Sequence, residues 1–106
     1  MSGTRILYID DDAGLRRLAE RALNRRGFQV ATAADGATGA MLCGEQEFDL
    51  VTVDHYMPGI DGLETMARIR ARPLAPPVIY VTGSDEGKVA VAALKAGAAD
   101  YVVKSV

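Results

Sequence analysis

Five short apolar runs, separated by segments of helical periodicity, constrain this chain more than any other feature of its sequence. The runs are Arg5–Asp10, Phe28–Thr32, Asp49–Asp54, Val78–Thr82 and Tyr101–Lys104. Each is too short for a typical helix and reads as a buried strand. Between the first two, Leu15, Leu18, Ala19, Ala22 and Leu23 recur at three- and four-residue spacing and make one apolar stripe. Asp12 can cap that helix and Gly27 stands where a stop is expected. Asp35-Gly36 opens a second helix running to about Glu45, which Gly39 and Gly44 weaken. Leu63, Met66, Ala67 and Arg70 mark a third helix from Gly62 to about Arg72, closed by Pro73, Pro76 and Pro77. A fourth runs from Glu86 to Ala96 and ends before Gly97.

Strict strand–helix alternation requires a mostly parallel sheet, because each crossover returns the chain in the same direction. Apolar strands imply that helices cover both faces. The expected fold is therefore α/β: a doubly wound, five-stranded parallel sheet of flavodoxin-like type, strand order 2-1-3-4-5. The 106 residues fit one domain. Net charge is −2, with acids and bases interspersed, so electrostatics gives no case for nucleic acid or membrane as a partner. No apolar run approaches the length of a membrane span. The segment before the first strand lacks the features of a signal peptide, and Cys43 has no partner for a disulfide. Both point to the cytoplasm. Cys43 itself reads as a small buried apolar residue.

Ligands of such sheets bind at the C-terminal ends of the strands. Asp10 and Asp11 end strand one, Asp54 strand three, Thr82 strand four and Lys104 strand five. Strands one and three are neighbours at the switch point of this order, so Asp10, Asp11 and Asp54 should converge. Three crowded carboxylates raise a pKa or hold a cation. All-oxygen ligands favour a hard divalent ion, and Mg²⁺ fits better than Ca²⁺ because waters must complete the shell. Lys104 adds an ammonium and Thr82 a hydroxyl donor. Metal, ammonium and hydroxyl around one carboxylate make a pocket for a phosphoryl group. Asp12 alone reads as a helix cap, His55 as an exposed loop residue, and Arg17, Arg21 and Arg25 as a solvated helix face.

The chain resembles the receiver domain of two-component response regulators. The matching residues are Ile9-Asp10-Asp11, Asp54-x-x-Met57-Pro58-Gly59-x-Asp61-Gly62, Thr82-Gly83 and Tyr101-x-x-Lys104. The resemblance implies that Asp54 accepts a phosphoryl group from a histidine kinase or phosphotransfer protein. It implies Mg²⁺ held by Asp11, Asp54 and the backbone carbonyl of Tyr56, with Asp10 helping. Thr82 and Lys104 would contact the phosphoryl oxygens, and Thr82 and Tyr101 would form the switch. Tyr56 and Ser84 would tune the lifetime of the phosphorylated state. Such a domain is a phosphoacceptor that assists its own phosphorylation and dephosphorylation, not a turnover enzyme, and it touches neither nucleic acid nor membrane directly.

Two departures from the family pattern stand out. Ser105 occupies the place of a proline after the lysine, and no fifth helix follows the last strand. Residues 1–106 therefore read as a receiver that stops before its fifth helix. With helices two, three and four on one face and only helix one on the other, the second face should show an apolar patch on the order of several hundred Å². Continuation into a fifth helix is the expectation, and a homodimer burying the same face is the alternative. Asp10-x-Asp12 also fits a haloacid-dehalogenase-like phosphatase, but Asp100 is the only acid in the last part of the chain where that class needs a pair. A degenerate receiver acting only as a docking module is the remaining alternative.

Overall fold

Each apolar run is a strand and each periodic segment a helix in the computed structural model, which describes residues 3–83 and 87–104. In chain order the elements are β1 (Arg5–Ile9), α1 (Ala13–Arg25), β2 (Gln29–Ala33), α2 (Gly36–Glu45) and β3 (Leu50–Asp54). Then follow α3 (Gly62–Arg70), β4 (Val78–Thr82), α4 (Gly87–Lys95) and β5 (Asp100–Val103). The sheet order is β2-β1-β3-β4-β5, and every neighbouring pair is parallel. This is the flavodoxin-like arrangement expected from the alternation of elements.

Several boundaries shift by one or two residues: β2 is Gln29–Ala33 instead of Phe28–Thr32, β3 starts at Leu50 and α4 ends at Lys95. Helix α3 stops at Arg70 instead of Arg72, because Pro73 restricts the residues before it. The Ala71 N–H closes the helix on Ala67 O. Strand β1 ends at Ile9, leaving Asp10 just beyond it, although the Asp10 N–H still donates to Ala33 O at 3.1 Å. Strand β5 begins at Asp100 and leaves Lys104 just past its end. Ser84, Ser105 and the expected start of α4 at Glu86 lie outside the described residues. Helix α2 forms despite its glycines, and Gly39 has a packing reason: a side chain there would run into Ile9.

Alternation along the strands sorts side chains between two faces. Leu7, Ile9, Val51, Val53, Val78 and Tyr80 are buried together with Ala40, Met66, Ile69 and Ala93 of α2, α3 and α4. The opposite face carries α1, which packs on β1 and β2. Ile6 is buried there, but Tyr8, Leu50, Thr52, Ile79 and Val81 are only half-buried. No residue of α1 is fully buried. Leu18 is 63% exposed and Val102 of β5 is 52% exposed, so the apolar stripe of α1 is half covered. Arg17, Arg21 and Arg25 are exposed, as read. Among the described residues no helix is long and apolar enough to cross a membrane.

Candidate functional site

The loops after β1 and β3 bring three carboxylates to one edge of the sheet. Asp10 and Asp54 are buried and Asp11 is exposed, and each offers an oxygen within 4.8 Å of the others. Asp10 is held on several sides. Its Oδ1 accepts from the Asp12 N–H at 2.9 Å, and its carbonyl accepts from Arg16 Nη1 at 2.8 Å. Asp12 caps α1 by accepting from the Gly14 and Leu15 N–H groups, so it is not free to turn into the cluster.

Lys104 supplies the cation. Its Nζ lies 3.2 Å from Asp54 Oδ2 and 3.4 Å from Asp10 Oδ2. The Lys104 N–H donates to Thr82 O at 2.7 Å, which fixes β5 against the end of β4. Burial pushes the Asp54 carboxyl above its ordinary pKa and Asp10 pushes it further, against the pull of Lys104. Burial works against the Lys104 charge, but Asp54 and Asp10 outweigh it and its pKa is raised. One ammonium among three carboxylates leaves the cluster anionic, and an all-oxygen set of this kind suits a hard divalent cation. Thr82 is 1% exposed, and its Oγ1 has no hydrogen-bond partner among the described residues. A buried hydroxyl of this sort can take a new acceptor without giving up an old one.

Beside Thr82 lies a cavity of about 350 Å³ between α4 and β5, lined by Thr82, Gly83, Ala90, Leu94, Tyr101 and Val103. Tyr101 is 40% exposed at its edge. Tyr56, two residues after Asp54, is 67% exposed. Thus Asp10, Asp11, Asp54 and Lys104 meet directly, Thr82 is tied in through the Lys104 backbone, and Tyr101 borders Thr82 through the cavity.

Two residues escaped the sequence reading. His55, expected in solvent, is 9% exposed, and its Nδ1 is 2.6 Å from the Tyr80 hydroxyl. The reason is that β3 pairing continues past Asp54, with the His55 N–H donating to Val81 O at 3.1 Å, so alternation turns the ring inward. Tyr8 shares a face with Asp10 two residues on. Burial, then Asp10, raises its hydroxyl pKa. Counting by twos along each strand would have found both.

A model of the response regulator receiver domain family matches residues 6–106. The chain is 45% identical over 101 residues to the transcriptional regulatory protein AfsQ1 of Streptomyces coelicolor, covering 95% of this chain and 44% of that protein. It spans less than half the length of the curated relatives it matches. Among solved structures, a response regulator receiver domain protein from Clostridium thermocellum is 29% identical with a TM-score of 0.91, covering 98% of this chain and 84% of that one. The response regulator protein TrrA of Thermotoga maritima, solved in complex with Mg(2+)-BeF, is 33% identical with a TM-score of 0.86, covering 97% and 88%.

Proposed function

Because this chain belongs to the response regulator receiver domain family, we propose that Asp54 is its phosphoacceptor and that Asp10, Asp11, Asp54 and the Tyr56 backbone carbonyl hold Mg²⁺. The observation that carries this reading is the Lys104 ammonium set between Asp54 and Asp10 in an all-oxygen cluster. Bound Mg²⁺ would neutralise phosphoryl oxygens. An Asp54 carboxylate oxygen attacks the phosphorus of a phosphohistidine on a kinase or phosphotransfer partner. The P–N bond breaks, and its electron pair stays with the imidazole nitrogen. Lys104 and the buried Thr82 hydroxyl then take the charge on the new acyl phosphate.

The same hydroxyl gives the switch its lever. The phosphoryl group brings nearly two negative charges and three acceptor oxygens. It draws Thr82 toward the site, and Tyr101 turns into the cavity that borders it. Tyr56 and Ser84 tune how long the acyl phosphate lasts. The domain acts as a phosphoacceptor in the cytoplasm and has no substrate of its own to turn over. Asp100 begins β5, at the edge of the sheet away from the carboxylates, so nothing favours a phosphatase with a second acidic pair. The half-covered face over Leu18 and Val102 is an apolar surface that a second copy of the chain or another structural element would cover. Residues 1–106 expressed alone should bind an apolar dye and melt low; a dye-silent monomer with a high melting temperature refutes that.

The function is tested with acetyl phosphate. The protein should gain a hydroxylamine-labile phosphate only with Mg²⁺ present, and Asp54→Asn should gain none. Labelling of Asp54→Asn at the wild-type rate removes the assignment. A wild type that takes no label with Mg²⁺ is a docking module instead.

A further inference from the structure

His55 and Tyr80 form a buried polar pair that the phosphoryl chemistry leaves unused. Tyr80 is fully buried in the apolar core and His55 nearly so. A hydrogen bond of 2.6 Å joins His55 Nδ1 and the Tyr80 hydroxyl, with ring centroids 5.7 Å apart. The bond offsets part of the desolvation of two buried polar groups, and does so best while its geometry is kept. The pair therefore gauges the spacing between the end of β3 and the middle of β4.

Other contacts tie this gauge to the β3–α3 loop. The Gly62 N–H donates to His55 O at 2.9 Å. A Cβ at Gly62 would come within 2.5 Å of the Tyr80 hydroxyl and 2.6 Å of Asp54 O, so the first residue of α3 sits directly on the pair. On the other side, the Tyr56 ring stands edge-on to the His55 imidazole with centroids 4.7 Å apart. The loop from His55 to Asp61 thus begins at His55 and returns, at Gly62, to the His55 backbone and the Tyr80 hydroxyl. Its beginning is the Asp54–Tyr56 segment.

We propose that the His55–Tyr80 hydrogen bond is a positioning device for the metal edge of the site, holding the Asp54 carboxylate and the Tyr56 carbonyl at a fixed separation. This rests on reading those two groups as Mg²⁺ ligands. Neither His55 nor Tyr80 touches the ion or the phosphoryl group; both act through the loop. Partners that orient metal ligands from behind are worth about 10–100-fold in metal affinity.

The test uses Mg²⁺ titration calorimetry together with initial phosphorylation rates by acetyl phosphate. Tyr80→Phe keeps the ring and removes only the hydroxyl. Its Mg²⁺ Kd should rise about ten-fold, while its rate at saturating Mg²⁺ returns close to wild type. His55→Leu should behave alike. His55→Asn, whose amide sets a polar atom near the place of Nδ1, should recover most of the affinity. Val78→Ala opens a cavity at the other end of the same strand and controls for stability: Tm should fall with Kd unchanged. A wild-type Kd in Tyr80→Phe overturns the proposal. So does a Kd in Val78→Ala that rises as far as in Tyr80→Phe. Should Tyr80→Phe not fold, the contrast between His55→Asn and His55→Leu decides alone, equal Kd values refuting it. A wild type that binds no Mg²⁺ overturns the metal reading, and this inference with it, whereas unchanged affinity in Tyr80→Phe overturns the positioning only.

Discussion

Replacing Thr82 by valine should make the resting protein more stable and the switch weaker. Valine is nearly isosteric with threonine and keeps the branched shape that β4 favours. Thr82 is 1% exposed, and its Oγ1 has no hydrogen-bond partner among the described residues. A desolvated hydroxyl without compensation costs about 1–3 kcal/mol in proteins. At the low end, its removal raises the melting temperature by about 4–8 °C for a domain of this size. The ligand-loaded state should behave oppositely. If Thr82 donates to a phosphoryl oxygen, that charge-assisted bond is worth about 1.5–3 kcal/mol. Melting curves by circular dichroism, in EDTA and then in Mg²⁺ with beryllofluoride, read both quantities. Thr82→Val should start higher than wild type and gain less from the phosphoryl mimic. A lower melting point in EDTA refutes the account of the buried hydroxyl. An equal gain from beryllofluoride in both proteins refutes its role at the site.

Asp54 gives a pH-dependent counterpart. Its carboxyl pKa is raised, by burial first and by Asp10 next, against Lys104. Folding therefore favours the protonated form, and the penalty appears as pH rises through the raised value. Asp54→Asn should match wild type in acid and exceed it near neutrality in EDTA; a difference that stays constant with pH contradicts this. Asp11 is exposed within the cluster; if it ligates Mg²⁺ directly, its change to alanine should raise the Mg²⁺ Kd by more than the roughly ten-fold that an outer partner costs, and calorimetry decides. Tyr56 is large and 67% exposed beside the acceptor. Tyr56→Asn should speed phosphate loss from the labelled protein if the ring shields the acyl phosphate, and an unchanged or slower rate speaks against shielding.

Most of this architecture was legible because two periodicities alternate along the chain. The parallel sheet followed from the crossovers, its strand order from the flavodoxin-like type, and the meeting of Asp10, Asp11 and Asp54 from that order. What was lost lay where a strand continues unannounced. His55 looked like a loop residue because Met57-Pro58-Gly59 follows so soon. Yet β3 keeps its partner through His55 N–H, and the residue two after Val53 must point as Val53 does. The cavity beside Tyr101 was not legible at all. It lies between α4 and β5, lined by Ala90, Leu94 and Val103, and how far a helix stands from its sheet is encoded by no local pattern. Helix α3 was read two residues too long because Pro73 acts on the residues before it.

In the proposed reading, the features that define the site are all costs borne by the resting fold. Asp54 is charged where burial and Asp10 disfavour charge. Thr82 keeps a hydroxyl in the core without a partner among the described residues. Tyr101 is left 40% exposed at the rim of a cavity of about 350 Å³. Stability alone would select against each of them, and each is relieved by the same event. A phosphoryl group with its cation compensates Asp54, gives Thr82 an acceptor and lets Tyr101 bury its ring. A ligand shifts an equilibrium only by its differential affinity for the two states. These contacts interact through Thr82, so their contributions do not simply add. Moving a two-state population from about 1:99 to 99:1 takes about 5.5 kcal/mol, and two or three terms of a few kcal/mol reach that range. The strain of the resting state is therefore the source of the switch, and a variant that relieves it without phosphate, as Thr82→Val does, should lose part of the response in proportion.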